Sequence, residues 1–497
     1  MTDKALTAQE IWRQYERDVA YKNSINLFDK VKQQQNFFLG RQWEGLHAPD
    51  LEKPVLNFVK RVVNYLISVL VVDDIGVSFK GSGSDEMDYT ILRDEIDLVG
   101  ETTKFRPKLR TIIKNAAVDG DGCMYLRYNA ETQEIESEIV PCTNIAFGDK
   151  STFETQRQPY IIVAKKMLRE TLAEQFPTVQ IKSSYGFGQG IGDGEGEAVT
   201  VLIRFYKKDG VVCFSQSTQE QILVPEVVTG QKLYPICFMN WESVRDSYHG
   251  MGAVETIIPN QLVVNKLWAM ALVYEKNNAF PKIFIDKTKL DKWSNGVGAV
   301  IGVVGNPNDA VATSFKAHDM AGQLMAIVEK TISYTKDFMG ANDAALGNVN
   351  PNNTSAIIAL QKSSAAPLEL QRLSLYQFVE DYARVVYDII KACYGIRPHF
   401  IDGQEELVDF SCLRDNARLL VDIGPSEYWS ESAQAATMDN LFTKGIITDA
   451  VTYLENIPSK SLPNKNKLIA QIKKEQEMMG QEMMGQEMMG QESLDGR

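Results

Sequence analysis

Two helical patterns of similar length bracket a short strand-and-turn insert in the second half of the chain, and this restricts its fold more than any other feature. Past Gly252, residues Ile258, Leu262, Val264, Leu267, Trp268, Ala271 and Leu272 keep helical spacing to about Lys276, with Pro259 suited to a first turn. Counted from Ile258 to Lys276, that helix is expected to be roughly 25 Å long. Residues 277–318, including PKIFIDKTKLDKW and GVGAVIGVVGNPND, read as short strands and turns. A second helix is expected over 319–339, with Leu324, Ile327, Val328, Ile332 and Tyr334. The arrangement is a hairpin with a head.

A polar loop follows at 340–354, GANDAALGNVNPNNT, with five Asn, two Gly and a Pro. Residues 355–395 then form a long helical pattern in which Leu375, Phe378, Val379, Tyr382, Val386, Ile389 and Cys393 step by three and four. Its span would be roughly 60 Å, with a kink at Pro367, where a backbone donor is lost. In the C-terminal part (396–475), a strand region, RPHFIDGQEELVDFS, precedes helices near 430–444 and 448–454. The tail (476–497) carries three QEMMG repeats, which cannot build a core alone.

The N-terminal part (1–251) begins with helices, Ile11, Trp12 and Tyr15 and then Leu27, Val31 and Phe38 sharing faces, up to a stop at Gly40. Pro54 is expected to open another helix, whose stripe Leu56, Val59, Val62, Val63, Leu66 and Leu70 reads as core. From about 75 to 250, short strands dominate, interrupted by helices near 88–98 and 104–118 and by a Gly-rich loop at 183–198.

The chain's 497 residues are 44% hydrophobic, enough for about three domains with cores. Lys and Arg total 52 against 65 Asp and Glu, a formal charge of −13. Such a surface does not grip nucleic acid unaided, because tight phosphate neutralisation takes clustered cations. It still lets DNA pass without sticking. The six cysteines show no C-x-x-C pair, and MTDKALTAQE lacks an apolar signal core, so synthesis in a cytosol with free thiols is expected. The longest apolar run, Val62 to Val72, is about 11 residues, too short to cross a bilayer.

The search for catalytic chemistry yields little. There is no G-x-x-x-x-G-K-[ST], and the glycines at 186–196 lack dinucleotide-binding spacing. Asp119-Gly120-Asp121-Gly122 has alternate carboxylates, but the twelfth position of a calcium loop would be Ala130, so a tight turn is the better reading. His47, His249, His318 and His399 stand far apart. No catalytic residue, metal or cofactor is expected. Lys282, Lys287, Lys289 and Lys292 beside Trp293 suit a docking patch for an acidic partner or phosphates. Lys266, Lys330 and Lys336 could line a helix face near DNA or simply be solvated.

This order of parts resembles the portal proteins of tailed bacteriophages. Four stretches carry the resemblance: NFFLGRQW; PVLNFVKRVVNYLISVLV; GMGAVETIIPNQLVVNKLWAMAL, with Gly250, Glu255, Ile258, Gln261 and Asn265 at the motif positions; and TSAIIALQKSSAAPLELQ. It implies an α+β fold with a strand-rich wing, a two-helix stem (252–276 and 319–339), a small α/β clip (277–318), a tunnel loop (340–354), a long kinked helix and a helical crown. It implies a ring, usually a dodecamer, at one capsid vertex of the virion, assembled in the host cytoplasm. Double-stranded DNA would be packaged and ejected through it. The terminase large subunit, then a head-completion or tail adaptor, would dock on it, and major capsid or scaffold protein would surround it. The tunnel-loop residues Asn342, Asn348, Asn350, Asn352 and Asn353 would face the duplex, Lys266, Lys330 and Lys336 would line the channel, and Lys287, Lys289, Lys292 and Trp293 would serve docking. The QEMMG tail departs from the family pattern. Two competing readings are a metal-dependent nuclease or hydrolase using Asp119, Asp121 and Glu255, and a capsid-associated scaffold without a channel.

Overall fold

Period-two alternation in the strands sorts side chains into two layers. In the computed structural model, Ile161 and Val163 of one strand enter a core shared by two sheets, while Ile162 and Ala164 face an N-terminal helix. The described residues are 6–49, 51–71, 78–79, 86–177, 198–280, 283–290, 292, 294, 296, 300–306, 308–309, 312–314, 321–341, 366–401, 404–413, 419–420, 438–444, 451, 453–454, 468 and 472. The fold is mixed α+β and divides into two units, one of 1–71 with 77–421 and one of 72–76 with 422–497.

The first unit begins with α1 (Ala8–Ser24), α2 (Leu27–Leu39) and α3 (Phe58–Leu70). Thr7 and Glu10 form a reciprocal capping box at the start of α1. Gly40 ends α2 in the left-handed region at φ 88°. Helix α3 starts at Phe58 rather than at Pro54. The Asn57 side chain caps it by accepting from the Lys60 N–H, while the Pro54 carbonyl is taken by Trp43 Nε1 at 2.9 Å in a segment outside any helix. Val59, Val62, Val63, Leu66 and Leu70 are buried, whereas Leu56, ahead of the helix, is exposed.

Strand β1 (Ser78–Phe79) precedes α4 (Glu86–Thr102) and α5 (Phe105–Asp119). Then come β2 (Asp121–Asn129), β3 (Glu134–Ile139), β4 (Ile145–Phe147), β5 (Tyr160–Leu168), α6 (Arg169–Gln175), β6 (Ala198–Lys208), β7 (Val211–Ser217), β8 (Ile222–Val228) and β9 (Ile236–Asn240). All pairings are antiparallel, in a three-stranded sheet β3-β2-β9 and a five-stranded sheet β4-β5-β6-β7-β8. Tyr125, Phe147, Phe205, Phe238 and Tyr248 fill the core that the sheets share. Ile11 and Trp12 of α1 cover Ala146, Ile162 and Leu202 on the other side of the larger sheet. Of the Gly-rich segment read at 183–198, residues 183–197 lie outside the described residues and Ala198 opens β6.

Helix α7 (Ala253–Ala279) has 27 residues, about 40 Å, and is longer than its apolar spacing suggests. Pro259 lies inside it, at the seventh position rather than in the first turn, where its missing N–H leaves the Glu255 carbonyl without that donor. Strands β10 (Ile283–Ile285) and β11 (Ala312–Ser314) pair antiparallel, and α8 (Ala321–Phe338) returns alongside α7. Residues 342–365 lie outside the described residues, so the polar loop and the first part of the long helical pattern are not described. After a 3₁₀ turn at Ala366–Leu368 that contains Pro367, α9 (Glu369–Cys393) packs on β9 and β2, with Tyr382 stacked on Phe105 at 3.9 Å. The hairpin β12 (Ile396–Ile401) and β13 (Gln404–Asp409) follows, and β14 (Leu419–Leu420) pairs with β1.

In the second unit, residues 438–443 are helical, and Phe442 lies against Tyr453 at 4.5 Å between ring centroids. The QEMMG repeats are outside the described residues. All six cysteines are free. Among the described residues, no helix is long and apolar enough to cross a membrane.

Candidate functional site at the root of the helical hairpin

Helix α7 leaves the sheet core through three glycines that permit backbone-to-backbone contact. Gly120, at φ 102°, caps α5, and a Cβ there would stand 2.5 Å from the Gly250 carbonyl oxygen. A Cβ on Gly250 would meet the Glu242 carbonyl oxygen at 2.7 Å, and one on Gly252 would meet that of Val118 at 2.8 Å. The turn read at Asp119–Gly122 is therefore the seat of the hairpin.

Asp121 ties this seat to its surroundings. Its Oδ1 accepts from the Gly250 N–H and from Asn240 Nδ2, both at 2.7 Å, and its Oδ2 lies 2.5 Å from His249 Nδ1. The Tyr248 ring lies tilted against His249, centroids 4.0 Å apart, and its hydroxyl donates to Asp18 Oδ1 at 2.7 Å. Asp18 is fully buried and also pairs with Lys22 at 2.8 Å and with Lys150. Burial alone would raise the Asp18 pKa, but the two ammonium groups outweigh it and hold the carboxyl below the ordinary range. Lys22 Nζ donates further to the carbonyls of Ile145 (2.6 Å) and Thr143 (3.0 Å), so this buried ion pair is hydrogen-bonded as well as neutralised.

One helical turn on, a second polar group fastens α7 to α2 and α3. Glu255 accepts from Gln34 Nε2 at 3.1 Å and pairs with Lys30 at 3.2 Å. Gln261 Nε2 reaches both the Leu56 carbonyl and Asn265 Oδ1 at 2.9 Å. Asn265 Nδ2 donates to Gln42 Oε1 at 2.7 Å, and Gln42 Nε2 donates to the Phe37 carbonyl at 3.1 Å. Asn57 Nδ2 holds the Phe38 carbonyl at 3.0 Å. Residues of NFFLGRQW, PVLNFVK and GMGAVETIIPNQLVVNK thus meet in one buried knot. Each makes hydrogen bonds that offset the cost of burying an amide.

Above the knot, Asn260 Nδ2 donates to Thr335 Oγ1 at 2.9 Å and sets the register of α7 against α8. Val263, Leu267, Met270 and Tyr274 on α7, and Ile327, Thr331, Tyr334 and Phe338 on α8, each recur at steps of four, three and four. That is the spacing of a coiled-coil seam. Helical phase and the Asn260–Thr335 contact place both rows on one side of the hairpin, away from α2 and α3. Met270 is 56% exposed, Tyr334 59% and Phe338 83%.

Of the residues singled out from sequence, Lys266 and Lys330 are exposed on the hairpin, and Lys336 lines a cleft of about 10 Å³ with Phe58, Arg61, Val62 and Ala341. Lys287 and Lys292 are exposed in the head and Lys289 is partly covered. Trp293, Asn342, Asn348, Asn350, Asn352 and Asn353 lie outside the described residues. Asp119, Asp121 and Glu255 are held by different partners: Asp119 by Gln35, Asp121 by His249, Asn240 and Gly250, and Glu255 by Gln34 and Lys30. Among the described residues, no cluster of three or more His, Cys, Asp or Glu side chains could hold a metal ion. Sequence reasoning missed Gln34, Asp18, Lys22 and the Asp121–His249 pair. Only Gln261 and Asn265 left a signal, an amide pair at i and i+4 within an apolar stripe.

No protein-family model matches the sequence, and no curated protein does. Among solved structures, the chain is similar to a chain from the neck of an empty GTA particle, computed with C6 symmetry. The identity is 12%, over 83% of this chain and 89% of that one, and the TM-score of 0.40 is too loose to carry an argument.

Proposed function

We propose that this protein is a portal-type head-to-tail connector of a tailed phage-like particle. Copies form a ring, a dodecamer by the family's habit, at one capsid vertex. DNA is packaged and ejected through its channel, and the terminase large subunit and then a tail adaptor dock on it, with major capsid or scaffold protein around it. On this reading α7 and α8 are the stem, 277–318 the clip with Lys287, Lys289, Lys292 and Trp293 for docking, and 340–354 the tunnel loop. Asn342, Asn348, Asn350, Asn352 and Asn353 border the duplex, and Lys266, Lys330 and Lys336 lie toward the channel. The protein acts as a conduit and performs no reaction.

One observation carries the reading. A long helical hairpin is fastened at its root by a buried polar knot, and Val263, Met270, Ile327, Tyr334 and Phe338 of its seam-spaced rows are exposed. An isolated chain gains nothing from that face. A neighbour in a closed head-to-tail ring would cover it. An asparagine-rich loop and net negative charge suit DNA that must move, because strong cationic contacts would hold it through counterion release. The test is electron microscopy of the purified protein. Holed rings are expected, and particles that remain single chains at every concentration would refute the reading.

A further inference from the structure

Between α2 and α3, the described part of 41–56 forms a strap along helix α7. Asn57 Nδ2 donates to the Phe38 carbonyl at 3.0 Å and closes the base of this loop. Across it, Trp43 Nε1 donates to the Pro54 carbonyl at 2.9 Å and Lys53 Nζ to the Leu46 carbonyl at 2.7 Å. On α7 the strap is held at Gln261, whose Nε2 donates to the Leu56 carbonyl, at Asn265 by Gln42, and at Lys276, which pairs with Glu52 at 3.7 Å. The loop is therefore shaped before any partner arrives, yet Leu46 is 45% exposed, Val55 37% and Leu56 39%.

Helical phase puts this strap and the seam-spaced row on opposite sides of α7. At 3.6 residues per turn, Gln261, Asn265 and Lys276 fall within about 60° of one another, and Val263, Leu267, Met270 and Tyr274 are centred about 180° away. Gln42 and Glu52 hold α7 at Asn265 and Lys276, and the row runs from Val263 to Tyr274. The two thus stand at nearly one height, each about 16 Å long.

We propose that the strap of one copy packs on the α7–α8 row of the next, with Leu46, Val55 and Leu56 against Val263, Met270, Ile327 and Tyr334. The inference rests on the ring reading above and adds to it which surface of the neighbour covers the exposed row. A closed ring repeats one rotation without a rise. For hairpins standing along its axis, the two surfaces that meet must therefore differ, lie on opposite sides and share one height. The strap and the row meet all three conditions, and both present apolar side chains to water. Because the loop is already tied by its own hydrogen bonds, little ordering entropy opposes the contact. Two copies related by a twofold axis would instead join row to row and leave both straps in water.

The test is thiol crosslinking of the full chain with a short bismaleimide, in L46C, M270C and L46C/M270C. Denaturing gels are read against the unaltered protein, whose exposed Cys412 sets the background. Assembled L46C/M270C should give a ladder of linked chains up to the whole ring, and each single variant no more than background. Rings of the double variant without a ladder would overturn the proposal while leaving the ring reading intact. Dimers from M270C alone would overturn it in favour of rows that meet each other. Slow maleimide labelling of M270C in dissociated chains would also overturn it, since the row would then be covered within its own chain. Independently, L46E/V55E should keep a near-native Tm but need about a hundredfold higher concentration to reach half assembly, roughly tenfold for each apolar contact replaced by a charge. An unshifted midpoint would overturn the proposal. Failure of the unaltered chain to form rings would instead refute the ring reading.

Discussion

Asn265 donates a 2.7 Å hydrogen bond to Gln42, which comes from the loop after α2, and both side chains are buried. This bond locks the α7–α8 hairpin to the N-terminal helices, and Gln261 couples to it through Asn265 Oδ1. Replacing Asn265 by Leu leaves the Gln42 carbonyl oxygen and one Gln261 donor without partners, so the expected loss is about 1–3 kcal/mol. In a double-mutant cycle by urea denaturation, N265L with Q42L should cost less than the two single changes added together. Strict additivity would mean that the knot is not a coupled unit.

Asp18, Lys22 and Lys150 make a different kind of anchor. Asp18→Asn removes the carboxylate that these two ammonium groups share, and Lys22 remains fully buried, so a loss of about 3–5 kcal/mol is expected. D18N/K22M should recover part of it, because it removes the stranded charge as well. The pH sign follows from the lowered Asp18 pKa. Its contribution is complete above the ordinary carboxylate range and is lost as pH falls below it, through the folded-state value. Acid unfolding of the native protein should therefore include a step that D18N lacks, readable by near-UV circular dichroism.

Asp119 shifts the other way. Burial raises its pKa to about 6, against the Gln35 hydrogen bond and Lys114 and with help from Asp121. Between the ordinary carboxylate value and about 6, the folded chain binds more protons than the unfolded one, so stability falls as pH rises through this window. D119N should flatten that segment of the stability profile. A ¹³C-detected titration should place the native carboxyl near 6, and a midpoint in the ordinary range would contradict desolvation at this part-buried position.

The hairpin with its small head was legible because helical spacing on both sides of a strand-like insert is a local signal. The α3 stripe was legible for the same reason, and Val59, Val63 and Leu66 are all buried. The start of α3 was misread, because Pro54 looks like a first-turn residue until Asn57 is seen capping the Lys60 N–H. Helix α7 runs three residues past the expected end at Lys276, because apolar spacing stops at Leu272 and polar residues carry the helix on to Ala279. The charged anchors were hidden for another reason. His249 and Asp121 lie 128 positions apart, and Asp18 and Tyr248 lie 230 apart, so no spacing rule connects them. His249 read as an isolated histidine until the fold brought Asp121 to it.

The segment 342–352 provides a test that does not involve stability. If its asparagines border the duplex, deleting it should leave rings intact while packaged DNA is lost or fails to stay in the particle. Normal packaging by the deletion variant would remove the tunnel-loop assignment. Replacing Lys292 and Trp293 should weaken terminase or adaptor capture by assembled rings with no change in Tm, and unchanged capture would return that cluster to ordinary solvated surface.

The exposed hairpin face gives the last prediction. Met270, Tyr334 and Phe338 contribute little to the lone chain, since more than half of each is already in water. Changing all three to Glu should therefore leave Tm within a degree or two of native, as surface changes usually do. In a ring, the same face would be buried against a neighbour, where three unpaired carboxylates carry a heavy desolvation cost. The variant should thus sediment as a folded single chain under conditions where the native protein forms rings. A large drop in Tm would show that the face is already packed within the chain, and normal rings would show that it points away from every neighbour. Either result would leave the polar knot as an anchor for a hairpin whose outer side has no assembly role.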